Sequence, residues 1–157
     1  MQDNPLWQYS LAVYNRPGVE SLMIMLQDSY QADVNMLLCC GWLGREGQQL
    51  SLDSMRLLVD VSMPWQQHCV QPLRAVRRFL KGKEDEAFRD QVKALEIAAE
   101  QRQQAMIYQQ LQSLNLLTAD PATAVGENLS LYGTLLNPAN QHGLSQSLAD
   151  LVELMRS

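Results

Sequence analysis

The chain has 157 residues, 46% of them apolar and 18% charged. That is the length of one ordinary domain, and folding at this size buries about 70% of the unfolded surface. The composition excludes a disordered chain, and the longest apolar runs fall far short of the roughly 18 residues that a membrane span requires. A net charge of −5 argues against a general nucleic-acid binder, because the phosphate backbone rewards clustered positive charge.

The charge is unevenly spread. Residues 1–60 carry 3 basic and 7 acidic side chains, residues 61–102 carry 8 and 6, and the remainder carries 1 and 4, so the middle third alone is basic. Met1 leads into QDNPLWQYS, which has neither a basic n-region nor an apolar h-region, and the expected location is the cytoplasm. Cys39 and Cys40 are adjacent, which makes a mutual bridge awkward, and with Cys69 they read as thiols. These cysteines, with His68 and His142, show no metal-ligand spacing. No metal and no cofactor is expected.

In chain order, NPLWQYSLAVYN reads as a helix capped by Asn4, with Pro5 at its first position, where a missing N–H costs nothing. Pro17 can begin a second helix whose stripe is Val19, Leu22, Met23 and Leu26. Next comes QADVNMLLCCGWLG. Its residues from Val34 to Leu43 leave no polar face, which predicts a central helix over about 33–46 wrapped by others, with Gly41 admitting a close neighbour. Gly47 closes it and Ser51 caps LDSMRLLVDVSM; Pro64 then starts a helix through WQQHCVQPLRAVRRFLKG, kinked at Pro72.

A long helix is predicted over about 86–117. Phe88, Val92, Leu95 and Ala99 form one stripe, Ile107, Leu111 and Leu114 another, and the phase changes near Arg102. After Leu117 the sequence turns loop-like, with a short helix over about 129–136. Leu144, Leu148, Leu151, Val152 and Met155 then mark an amphipathic helix expected to dock on the core, so that deleting residues 119–157 should leave a folded but aggregation-prone fragment. No strand-like alternation is visible. The fold class is all-α: a compact bundle of about six or seven helices in a single domain, 1–157, made of a core at 4–117 and a C-terminal extension at 118–157.

Three stretches, NPLWQYSLAVYNRPGV at 4–19, LQDSYQADVNMLLCCGWLG at 26–44 and VQPLRAVRRFLK at 70–81, resemble an uncharacterised family of small, all-helical proteobacterial proteins. The likeness covers roughly residues 4–115. It implies a bacterial cytosolic protein and brings no activity to any position.

Two constellations stand out. Asp33 and Asn35 open an otherwise apolar helix. Asp33 reads either as an N-cap accepting a backbone N–H, or as half of a buried polar pair that must find a partner, for which an arginine is expected. The second is the helix carrying Arg74, Arg77, Arg78 and Lys81 at i, i+3, i+4 and i+7, all within about 100° of one another. Leu73, Val76 and Leu80 lie opposite. Arg77, nearest the boundary, is expected to turn inward toward Asp33 or Asp60, while Glu84, Asp85 and Glu86 can neutralise the outer charges.

His68, beside the expected kink, has no recognisable nucleophile and orienting acid around it. The chain therefore reads as a non-enzymatic interaction or adaptor protein that presents Arg74, Arg78 and Lys81 to an acidic protein surface or another anion. The alternative is an anionic-ligand binder or enzyme with an inter-helix pocket near Asp33, Asn35, Arg77 and His68.

Overall fold

The computed structural model describes residues 3–83, 85–136 and 138–156. Glu84, one of the acidic residues expected to neutralise the basic helix, lies outside them. The all-α class holds. α1 (Pro5–Tyr14) is capped by Asn4, whose side chain accepts the Trp7 N–H at 3.0 Å. α2 (Val19–Tyr30) ends on Gln31 in the left-handed region at φ 61°.

α3 (Val34–Arg45) is the buried centre: Asn35 to Gly41, Leu43 and Gly44 are all buried. Its neighbours are α1, α2, α6 (Glu86–Leu111) and, most extensively, α7 (Pro121–Leu136). Glycine makes this crowding possible. A Cβ at Gly41 would lie 2.5 Å from the Tyr9 hydroxyl and 2.8 Å from the Met155 sulfur, and one at Gly44 would overlap the backbone of Val125 on α7. The two helices thus meet backbone to backbone at that point.

Four boundaries differ from the sequence reading. α4 (Leu52–Trp65), capped by Ser51 through the Ser54 N–H at 3.1 Å, runs straight through Pro64. A π-helical turn, Gln66–Val70, then joins it to α5 (Gln71–Leu80). Pro64 and Pro72 each lack the N–H that would donate to the carbonyl four residues back, and the wide turn between them, with the Gln71 N–H reaching the Gln66 carbonyl, absorbs the mismatch without ending the helix.

α6 stops at Leu111 rather than near 117, its end closed by the Ser113 N–H on the Gln110 carbonyl (3.1 Å) and the Leu114 N–H on the Leu111 carbonyl (3.2 Å). The chain then forms β2 (Leu117–Thr118), antiparallel to β1 (Gln48–Gln49). Two residues per strand are too few to leave an alternating pattern. Finally, α7 begins at Pro121, not near 129, because Asp120 caps it by accepting the Ala122 N–H at 2.9 Å.

α8 (Gln141–Arg156) buries Leu144, Leu148, Leu151, Val152 and Met155 in the same apolar cluster as Leu6, Met23 and Leu37. Asn128 of α7, fully buried, holds the turn after α3. Its side chain accepts the Leu50 N–H at 3.0 Å and donates to the carbonyls of Gln48 (3.0 Å) and Cys40 (3.4 Å). A buried backbone must be paired somewhere, and this side chain does it where no regular ladder can.

Candidate functional site

Asp33, half-buried, is both cap and member of a polar pair. Oδ1 accepts the Asn35 N–H at 2.9 Å, which fixes the first turn of α3. Oδ2 accepts the Gln103 side-chain amide, and the Asp33 N–H itself donates to the Tyr132 hydroxyl at 2.8 Å. The expected arginine is not the bonding partner; the amides of α6 are.

From there a seam of amides crosses the core. Asn35 Nδ2 donates to Gln103 Oε1 (2.8 Å) and to the Glu100 carbonyl (3.2 Å), while Gln104 Nε2 donates to Asn35 Oδ1 and to Ser10 Oγ, both at 2.9 Å. Asn35, Gln103, Gln104 and Ser10 are all buried. The acceptor-only carboxylate at one end orients every amide along the line, and the donors meet the hydrogen-bonding need that burial creates. Burial pushes the Asp33 carboxyl up from its ordinary value, and the Gln103 and Asn35 donors pull it back. Every side-chain polar atom of the pair is engaged, so the seam ties α3 to α1 and α6, and neither Asp33 nor Asn35 lines either of the two clefts described below.

α5 is oriented with its charge inward. Arg74, expected on the outer basic face, is buried, with Nε 3.5 Å from Glu96 Oε1 and Nη2 3.4 Å from Glu100 Oε1. Arg77 does turn inward, but to Glu96, which it grips from both Nε and Nη2, rather than to Asp33 or Asp60. That hydrogen-bonded pairing raises the Arg77 guanidinium further. Glu100, short of water and beside Glu96, is pushed up to about 7 despite Arg74.

The opposite edge of α5 consequently faces outward: Val76 is 44% and Phe79 62% exposed. The sequence stripe Leu73, Val76, Leu80 suggested the reverse, because it cannot show that the facing side of α6 carries Glu96 and Glu100 among Val92, Ala99 and Gln103. Phe88 and Leu95, on the first stripe predicted for the long helix, are 48% and 58% exposed.

The remaining candidates lie apart. Arg78 pairs with Asp28 of α2 at 3.2 Å, both half exposed, and Lys81 and His68 are exposed. His68 lines neither of the two clefts described below. Cys39 and Cys40 are core thiols, both pushed up by burial, Cys39 to about 12, and so unsuited to nucleophilic attack. Among the described residues no group of three His, Cys, Asp or Glu side chains could hold a metal ion, and no helix is long and apolar enough to cross a membrane.

Two clefts do exist. One of about 500 Å³ lies where the end of α6 meets β1, lined by Trp42, Gln48, Tyr108, Leu111 and Gln112 among others, with the Trp42 and Tyr108 rings 5.9 Å apart. The other, of about 320 Å³, lies between α2 and α5 and is lined by Gln27, Asp28, Gln31, Gln71, Arg74 and Arg78 with Ala32 and Ala75. Sequence reasoning found the two arginines but missed the glutamines of α2 and the role of Glu96 and Glu100, which no local spacing ties to α5.

A family model described as Protein of unknown function (DUF2390) matches residues 5–107. The chain belongs to the DUF2390 family. The likeness carried by the three sequence stretches is therefore a membership, over a span slightly shorter than the 4–115 they suggested. No curated protein and no solved structure matches the chain. In this DUF2390 protein the matched span contains α1 to α5 and most of α6, and thus the amide seam and the arginine cluster, whereas Tyr132, Asn128 and α7, the helix that α3 touches most extensively, come from outside it.

Proposed function

We propose that this DUF2390 protein is a non-enzymatic interaction protein, and that the outer edge of α5 is where a partner docks. One observation carries the reading: an amphipathic helix turns Arg74 and Arg77 onto α6 and leaves Val76 and Phe79 in water. Apolar side chains held outward on a rigid element gain free energy when a partner covers them.

The surroundings narrow the partner. Lys83 lies with its ammonium 5.0 Å from the centre of the Phe79 ring, Arg78 and Lys81 are exposed beside it, and the rest of the chain is acidic. A basic rim around an apolar edge fits an acidic amphipathic helix of another protein, which lays its apolar face down and points carboxylates at the rim. A second copy of this chain would set one basic rim against the other.

The test is calorimetric titration with a blocked peptide that carries leucines on one helical face and glutamates at its edges. The expected result is saturable binding that Phe79→Asp weakens at least about tenfold, roughly 1.4 kcal/mol, with an unchanged melting midpoint. Equal binding by the variant would overturn the reading. So would a concentration-dependent dimer of the wild type that Phe79→Asp abolishes, because the occupant would then be another copy.

A further inference from the structure

We propose that the cleft between α2 and α5 is a carboxylate-binding site, in which the ligand's oxygens bridge Arg74 and Arg78 and replace Glu100 and Asp28 as their partners. The site is separate from the apolar edge of α5 and does not depend on what docks there.

Arg74 and Arg78 stand one helical turn apart on α5 and both line this cleft of about 320 Å³. Residues at that spacing are near enough for one planar carboxylate to reach both. The side chains of Gln27, Gln31 and Gln71 supply further N–H donors around it, and Ala32 and Ala75 leave the room.

The present partners of the two arginines are replaceable. The Arg78–Asp28 pair is bidentate, at 3.2 and 3.4 Å, but both side chains are half exposed, where water screens the pair and can exchange for it. Arg74 is buried, yet its two contacts lie at 3.5 and 3.4 Å, at the long limit for hydrogen bonds, because Glu96 gives its closer bonds to Arg77. The planar fork of Arg74 is thus fixed in place without a bidentate partner. That is the arrangement a carboxylate ligand completes.

Charge balance gives the site a signature. Arg74, Arg77 and Arg78 are matched by Glu96, Glu100 and Asp28, so an incoming anion is one negative charge too many. Glu100 is the group that can take up a proton to restore the balance. It faces Arg74 and Arg77 from α5, Glu96 on its own helix, Asp33 at the start of α3 and Tyr14 of α1. With its value already near 7, protonation at neutral pH costs little, and a bound carboxylate raises it further. Binding therefore takes up a proton. Affinity climbs as pH is lowered toward 7 and levels off below it.

Two probes are used, because a carboxylate can come from a free small molecule or from an acidic side chain: succinate and an end-blocked tetraglutamate peptide, each titrated calorimetrically between about pH 6.5 and 8.5. At least one should bind in the millimolar range or tighter, with uptake of up to one proton and an affinity that changes by up to about tenfold per pH unit above 7. The probe that binds identifies the source.

Arg78→Gln, a surface change, should weaken binding at least about tenfold. Glu100→Gln should bind without pH dependence, and as tightly as wild type does at the low end of the range. Phe79→Asp should bind both probes as wild type does, so a failure here is distinct from a failure of the docking edge. No binding of either probe at about 10 mM and pH 6.5, binding indifferent to Arg78→Gln, or a pH dependence that survives in Glu100→Gln would each overturn the proposal.

Discussion

Removal of residues 119–157 should unfold this protein, although the deleted segment lies wholly outside the family match. α2 rests chiefly on α8, and α3 on α7. Met23 and Leu26 of α2, Leu37 of α3 and Leu50, which is held by Asn128, share one apolar cluster with the α7 and α8 side chains that would be removed; all four are at most 1% exposed in the full chain. Complete re-exposure costs about 1.5–3 kcal/mol per side chain. Even half-exposure of the four removes roughly 3–6 kcal/mol, and the bonds from Asn128 and Tyr132 go as well. Against a typical total of about 5–15 kcal/mol, little remains. The sequence alone suggested a folded fragment; the structure points instead to one with residual helix, strong binding of a hydrophobic dye and no cooperative melt. Circular dichroism melting with dye fluorescence checks this. A fragment of residues 1–118 that melts cooperatively within a few degrees of the full chain would refute the reasoning.

Asn128→Ala strands the buried Leu50 N–H and removes a donor from the half-buried Gln48 carbonyl, which should cost about 1–3 kcal/mol and lower the melting midpoint by roughly 3–9 °C in a thermal scan. Gln103→Leu leaves Asp33 Oδ2 without its amide donor and Asn35 Nδ2 with the Glu100 carbonyl alone; a loss of about 2–4 kcal/mol in urea unfolding is expected. Glu100 holds its proton more tightly folded than unfolded, with a value raised from 4.5 to about 7. Its contribution to stability is therefore complete below about 4.5 and is lost as pH rises to 7, at no more than about 1.4 kcal/mol per unit before solvent screening. Urea unfolding at several pH values should show Glu100→Gln gaining on wild type across that window and running parallel above it. A constant difference between the two would contradict this assignment.

How far the sequence could be read depended on the range of the interactions. Caps and periodicity are local, so Asn4, Ser51, Asp33 and the all-apolar α3 announced themselves within a few residues. Pro64 misled because its stop signal was cancelled by a π turn six residues before a second proline, a compensation between two positions that neither shows alone. Asp33 and Asn35 were visible as an anomaly, but their partners stand about 70 residues away on α6, and a glutamine on a helix reads as surface. The same holds for α5. Its arginines were legible as one face, but the direction of that face is decided by Glu96 and Glu100, which made the apolar edge appear inward when it lies outward. Asn128 gave no signal at all, since one asparagine in a Gly- and Pro-rich region reads as loop.

The most direct test of α5 as the docking element is amide NMR of the labelled full chain titrated with the acidic amphipathic peptide. Binding at α5 should shift or broaden resonances over residues 71–83, with smaller changes at 27–32 across the cleft, and leave the amides of Trp42, Tyr108 and residues 111–116 in place. Changes centred on that second cleft, with α5 unmoved, would contradict it.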